Sequence, residues 1–293
     1  MVLDRRQFLA GLGIAGLEAL LTRQLGADLT KTPLVIINPG HNYQSSGYHL
    51  GAAARGIGEE YRIVTRIADA TAESLRSKGI STLVTRDEKE YAPDIRKYID
   101  ANRKPLTLEF LDSLRRKHHH DLTLSEGILQ LGIMRYAEKQ RAAAVVSIHI
   151  DDTELKTQYL EGFTVYIGNH HSEDSHPEKH KDHVEYDEQS MKLGLSVRDA
   201  LAAEKLGNAA LPISNTALND DRKNFRGLAA KHLFILGNGR ITMTAPSILV
   251  ECGFMRQNYV IGGTTHHINS GPVQQAYADG IANGIVLNFS QPL

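Results

Sequence analysis

Leu34-Val35-Ile36-Ile37-Asn38-Pro39-Gly40-His41 opens on four consecutive aliphatic residues and closes on a Pro-Gly turn that ends in an imidazole. A short apolar run bounded by turn residues reads as a buried strand. The Pro-Gly pair stops that strand and presents His41 just past its carboxyl end. Further runs of this kind lie at residues 80–84, 144–150, 163–167, 233–236 and 247–250. Between them fall helical patterns at residues 59–78, ending at Gly79, at 125–140, opening on Ser125, and at 190–205 and 272–288. Strands alternating with helices predict a single α/β domain. Its central sheet, mostly parallel or mixed, is expected to have about six strands with helices flanking it. Two segments exceed ordinary connection lengths and read as insertions on that core. They are residues 88–123, with a helical stretch near 106–117, and residues 168–189.

A chain of 293 residues suffices for one such domain preceded by a short leader. With 41% hydrophobic and 23% charged residues, the composition excludes a chain disordered throughout. The net charge of −1 provides no basic field, so nucleic acid is not expected as a partner. A single cysteine, Cys252, excludes an intramolecular disulfide framework. Five of the 14 histidines fall between residues 170 and 183, and His118-His119-His120 form a run. Interleaved with Glu173, Asp174, Glu178 and Asp182 and without a fixed ligand spacing, the cluster reads as a solvated loop; a metal-collecting site is the alternative. Residues 1–30 carry Asp4-Arg5-Arg6-Gln7-Phe8-Leu9-Ala10 before a mildly apolar run, which resembles a twin-arginine export signal. That run is shorter than the roughly 20 apolar residues a membrane-spanning helix needs. The expectation is therefore a protein of the periplasm or exterior that is not integral to the membrane, with residues 31–293 as its working domain.

Three ionisable residues stand at predicted strand ends: His41, His149 in Ser147-Ile148-His149-Ile150-Asp151, and Glu251 in Val250-Glu251-Cys252-Gly253-Phe254. In open α/β sheets the crevice at the carboxyl ends of the strands is where ligands bind. A fourth group comes from the first helix. At helical periodicity Glu60 shares a face with Ile63, Val64, Ile67 and Thr71, whereas Glu59 aligns with Arg62 and Arg66. Glu60 is thus the inward carboxylate and Glu59 a solvated partner of arginines. Two imidazoles and one carboxylate suit Zn²⁺ and leave a position for water, whose pKa zinc lowers to about 7. His41, Glu60 and His149 are the expected metal ligands. Glu251, beside apolar Val250 and Phe254, is the expected catalytic acid/base, its pKa raised by desolvation. Strand alternation turns Cys252 to the opposite face, into the core.

In order, Pro39-Gly40-His41, Glu60 followed by Ile67-Ala68, Thr85-Arg86, Ser147-Ile148-His149 and Val250-Glu251-Cys252-Gly253-Phe254 resemble the motifs of the zinc-dependent N-acetylmuramoyl-L-alanine amidases of bacterial cell walls. The resemblance implies three zinc ligands and a catalytic glutamate at these positions. It also implies peptidoglycan as substrate, cut between the muramic acid lactyl group and L-alanine. Some relatives are held inactive by an inserted helix until an activator protein removes it, which suggests a lid for residues 88–123 or 168–189. Departures stand beside the ligands: Asn38 where the family usually has aspartate, Asn42-Tyr43 after His41 where it usually has glycines, and Ile150-Asp151 after His149 where it usually has Ala-Asn. They leave open a zinc hydrolase of another amide or peptide. An exported, non-enzymatic protein that binds metal or cell wall is the remaining alternative.

Overall fold

A computed structural model describes residues 32–41, 51–115, 122–151, 162–168, 188–204, 206, 228–231 and 244–290. In chain order the elements are β1 (Leu34–Pro39), β2 (Ala53–Ala54), β3 (Gly58–Glu59), α1 (Glu60–Ser77), β4 (Ser81–Val84), α2 (Pro93–Ala101), α3 (Arg103–Arg115) and α4 (Leu124–Gln140). They continue with β5 (Ala144–Asp151), β6 (Thr164–Gly168), α5 (Glu188–Ala203), β7 (Leu228–Lys231), β8 (Ser247–Phe254), β9 (Tyr259–Ile261), β10 (Thr264–His266) and α6 (Gly271–Ser290).

One six-stranded sheet in the order β4-β1-β5-β8-β6-β7 organises these elements. The neighbours from β4 to β8 run parallel, and β6 runs antiparallel to β8, which makes the sheet mixed as expected. The chain leaves β1 through α1 to reach β4 on one side, whereas β5 joins β1 on the other. The carboxyl ends of β1 and β5 therefore flank a topological switch point, where a crevice opens.

Alternation of side chains along the strands creates two apolar faces. Val35, Ile37, Val146, Ile148 and Val250 pack with Ile63, Val64 and Ile67 of α1, Val197 of α5 and Ile281 of α6. Ile36, Val145, Tyr166 and Leu249 on the other face pack with Ile95, Ile99, Leu106, Phe110, Leu131 and Met134 of α2, α3 and α4. Cys252 belongs to the first of these cores and is fully buried, as alternation requires. Burial pushes its thiol pKa well above the ordinary range.

The helical stretch expected near 106–117 is in fact two helices, α2 opening on Pro93 at its first turn and α3 following after Asn102. Ile95 and Ile99 of α2 and Leu106 and Phe110 of α3 are buried in the second core while Leu108 and Leu111 stay exposed, so the two helices pack as a layer on the sheet. The fourth helix starts one residue earlier than Ser125 because Thr123 caps it. Its hydroxyl accepts from the Glu126 amide at 3.3 Å while the Glu126 carboxylate accepts from the Thr123 amide at 2.9 Å. The first helix closes as expected at Gly79. The Gly79 amide donates to the Arg76 carbonyl at 3.0 Å and the Ile80 amide to that of Leu75 at 3.1 Å. The strand expected at 233–236 lies outside the described residues, as do residues 1–30, 118–120 and 169–187; the described edge strand beside β6 is β7.

Phe110 distinguishes a structural layer from a lid. Phe110→Ala is expected to lower the stability of the whole domain by about 3–5 kcal/mol, read from denaturant unfolding. A loss below about 1 kcal/mol would mean that α3 is not part of the cooperative core.

Candidate metal and catalytic site

Glu60 is the first residue of α1 and is only 2% exposed. Both of its carboxylate oxygens are fastened to backbone. Oε2 accepts from the Ala52 amide at 2.7 Å and Oε1 from the Ile150 amide at 2.9 Å. The Glu60 amide in turn donates to the Ala52 carbonyl at 2.8 Å. The carboxylate thus ties the hairpin β2–β3, the start of α1 and the end of β5 to one point. The helix amino end favours a negative charge there.

Two imidazoles face the same oxygen. His41 Nε2 stands 3.4 Å and His149 Nδ1 3.5 Å from Glu60 Oε1, and the rings meet edge-on with centroids 5.0 Å apart. One potential ligand atom from each of the three residues lies within 4.8 Å of the others. Glu59, in contrast, is largely solvated and pairs with Arg62 at 3.2 Å, while Arg66 turns to Glu88 at 3.5 Å and not to Glu59. The helical face count therefore picks out the inward carboxylate.

Space around the cluster is closed by glycines. A Cβ on Gly40 would fall 2.3 Å from Cε1 of His149. One on Gly51 would fall 2.4 Å from Glu60 Oε2 and 2.7 Å from His41 Cδ2, at a residue whose φ of +78° already disfavours a side chain. His41 itself sits in the left-handed region at φ +57°. The turn that forces this conformation is held by Arg86, which is 3% exposed. Its guanidinium donates to the carbonyls of Pro39, Gly40 and Asp87 and to the Thr65 hydroxyl, linking β1, the turn and α1.

Electrostatics couple the three side chains. Burial pushes the Glu60 carboxyl up, but the hydrogen bond with His149, the charges of His41 and His149 and the Ile150 amide together hold it below the usual carboxylate range. Burial alone would lower the His149 imidazole, yet its hydrogen bond to Glu60 and the negative charges of Glu251 and Glu60 raise it. With both imidazoles neutral, the Glu60 carboxylate leaves the cluster with a negative charge that a bound cation would offset. Glu251 stands next to it: in the β5–β8 ladder it is directly opposite His149, and in the β6–β8 ladder it is opposite Thr164. Glu251 is half-buried, and alternation places it and Cys252 on opposite faces.

The Amidase_3 family model, described as N-acetylmuramoyl-L-alanine amidase, matches residues 35–286 and so spans every element of the sheet. The chain belongs to this family. Membership makes it an N-acetylmuramoyl-L-alanine amidase, an enzyme of peptidoglycan hydrolysis. Solved amidases share its fold at low identity. The N-acetylmuramoyl-L-alanine amidase of Nostoc punctiforme matches at a TM-score of 0.52 and 20% identity, over 88% of this chain and 98% of that one. The enzyme of Mycobacterium smegmatis matches at 0.54 and 17%, over 88% and 96%. The CwlD amidase of Clostridioides difficile, solved in complex with the GerS lipoprotein, matches at 0.51 and 17%, over 88% and 99%. No curated protein sequence matches the chain.

In this amidase the departures at Asn38 and Ile150 have local explanations, while Asn42-Tyr43 lies outside the described residues. The Asn38 carboxamide accepts from the Thr85 hydroxyl at 2.7 Å and donates through Nδ2 to the Ser147 hydroxyl at 3.2 Å. The Ser147 hydroxyl donates back to the Asn38 carbonyl at 3.2 Å. An aspartate has no hydrogen to offer Ser147, so the amide suits this buried arrangement. Ile150 contributes its amide to Glu60, a contact that its side chain does not govern. Sequence reasoning missed Gly51, which carries no motif of its own and lies nine residues before Glu60. It recognised Arg86 as part of a motif without assigning it a role.

Gly51→Ala tests the cradle. The added methyl meets Glu60 and His41 while the cores stay untouched, so divalent metal affinity is expected to fall by about 10- to 100-fold in a protein that still folds. Chelator competition followed by metal analysis measures it; unchanged affinity would show that Gly51 does not shape the cluster.

Proposed function

We propose that the protein is a zinc-dependent amidase that cuts the bond between the lactyl group of N-acetylmuramic acid and L-alanine in peptidoglycan, with His41, Glu60 and His149 as zinc ligands and Glu251 as the catalytic acid/base. The observation that carries this reading is a deeply buried carboxylate faced by two imidazoles, directly beside a second carboxylate on the neighbouring strand. The residues fit a zinc ion on three counts. Two nitrogens and one carboxylate form the borderline donor set that zinc favours. Their atoms lie close enough together to share one ion. Gly40 and Gly51 keep the surroundings free of side-chain atoms that would displace the ligands.

When bound, zinc supplies Lewis acidity, polarising a carbonyl and acidifying water toward neutral pH. The chain's own residues do the rest. Glu60, pinned by two amides, holds the anionic charge in place, and Arg86 fixes the turn that carries His41. Glu251 takes the proton of the attacking water and delivers it to the nitrogen of the departing L-alanine, which would otherwise leave as an unstable amide anion.

The reading extends to location and partners. Residues 1–30 serve as a twin-arginine-type export signal, residues 31–293 as the catalytic domain, and the enzyme works in the periplasm or outside the cell. Among the described residues, no helix is long and apolar enough to cross a membrane. A protein activator is part of the proposal, supported by the lipoprotein complex of the C. difficile enzyme.

Digestion of purified sacculi decides the matter. Mass analysis is expected to show free stem peptides with an L-alanine amino end, lost on chelation and restored by zinc. Glu251→Gln is expected to bind zinc as the wild type does while kcat falls by about 10²- to 10⁴-fold. Products cut within the stem peptide, or activity that survives chelation, would overturn the reading.

A further inference from the structure

Beyond Glu251 the strand β8 continues through Cys252-Gly253-Phe254 and is held by buried polar groups that the metal cluster does not use. Gln257, only 5% exposed, is central to them. Its Oε1 accepts from the Gly162 amide at 3.1 Å and from the Phe254 amide at 3.4 Å, and its Nε2 donates to the Leu206 carbonyl at 3.4 Å. The Tyr259 hydroxyl donates to the Cys252 carbonyl at 3.2 Å and receives the Tyr277 hydroxyl at 3.3 Å. Gly253 fits between them at φ +84°, where a Cβ would lie 2.4 Å from the Tyr259 oxygen and 2.7 Å from Gln257 Oε1.

These contacts grip β6, on one side of Glu251, and the end of its own strand β8. Gly162 leads directly into β6, whose Thr164 is opposite Glu251, and Phe254 ends β8 three residues beyond it. One side-chain oxygen therefore joins the start of β6 to the end of β8. β6 is also where the sheet changes direction, since it runs antiparallel to β8. We propose that Gln257 is a positioning residue for Glu251, holding β6 and β8 in the register that keeps the Glu251 carboxylate beside His149. The inference rests on Glu251 acting as the acid/base. It assigns no contact with substrate or zinc to Gln257.

The test compares zinc-loaded wild type, Glu251→Gln, Gln257→Leu, Gln257→Glu and Ile281→Val on a soluble muramoyl-peptide, with kcat, KM, zinc affinity and melting temperature read for each. Gln257→Leu removes all three hydrogen bonds and is expected to lower kcat by about 10- to 100-fold, with KM and zinc affinity changed by less than about threefold. Gln257→Glu keeps both acceptor contacts but sets a second oxygen against the Leu206 carbonyl, so it is expected to recover kcat only in part, above that of Gln257→Leu. Ile281→Val trims the apolar core, removes none of the Gln257 hydrogen bonds, and is expected to lower the melting temperature without lowering kcat.

A Gln257→Leu protein whose kcat falls no further than that of Ile281→Val, or which loses zinc together with kcat, overturns the proposal. Should Gln257→Leu fail to fold, the near-isosteric Gln257→Met, which also lacks all three hydrogen bonds, takes its place. A kcat about tenfold or more below wild type with zinc affinity kept supports the proposal, and a kcat within about threefold of wild type overturns it. An inactive zinc-loaded wild type, or a Glu251→Gln protein as active as wild type, instead sinks the acid/base reading, whatever the Gln257 variants do.

Discussion

A carboxylate that is almost wholly withdrawn from water must be satisfied on every side, and Glu60 shows how much structure that demand organises. One oxygen takes the amide of Ala52 and the other the amide of Ile150, so a hairpin before the first helix and the end of a central strand both close on a single side chain. The remaining lone pairs face His41 and His149. Such a group is costly to bury without positive charge nearby. The helix amino end, the two imidazoles and the ion they are proposed to hold all supply it. Stability and function therefore share one constraint.

The sheet places these groups where they meet. β1 and β5 are adjacent and parallel, and both deliver a histidine at their carboxyl ends, next to the point where the chain changes its winding direction. β8, adjacent to β5, brings Glu251 level with His149. Below this edge runs a buried ladder of polar contacts from Thr85 through Asn38 to Ser147, crossing β1 between its two neighbours. Arg86 adds a second tie from the neighbouring strand end to the turn. Its charge is buried among carbonyl oxygens, and the desolvation lowers its pKa from the ordinary value, with Tyr91, Asp87 and Glu60 acting against that shift. Burying a guanidinium beneath an anionic cluster is a plausible compromise only because each N–H finds an oxygen.

Segments that interrupt the strand–helix rhythm need not lie outside the core. α2 and α3 follow a long connection, yet Ile95, Ile99, Leu106 and Phe110 cover one whole face of the sheet together with α4. Without them Ile36, Val145 and Leu249 would face water. Length between strands alone therefore does not separate an insertion from a layer; the apolar spacing within the segment does.

By itself the sequence determined the α/β class, the identity of the inward carboxylate and the family. Those features are local. Apolar runs ending in a turn, a helical face shared by Glu60 and Ile63, and motifs in a fixed order are all written in neighbouring residues. The burial of Cys252 followed from simple alternation beside Glu251. Only the tertiary structure decided that Gly51 must lack a side chain, that Arg86 holds the turn of His41, and that Gln257 bridges β6 and β8. Each of these depends on atoms from segments distant in the chain approaching within a few ångströms, and pattern within one segment carries no record of that approach.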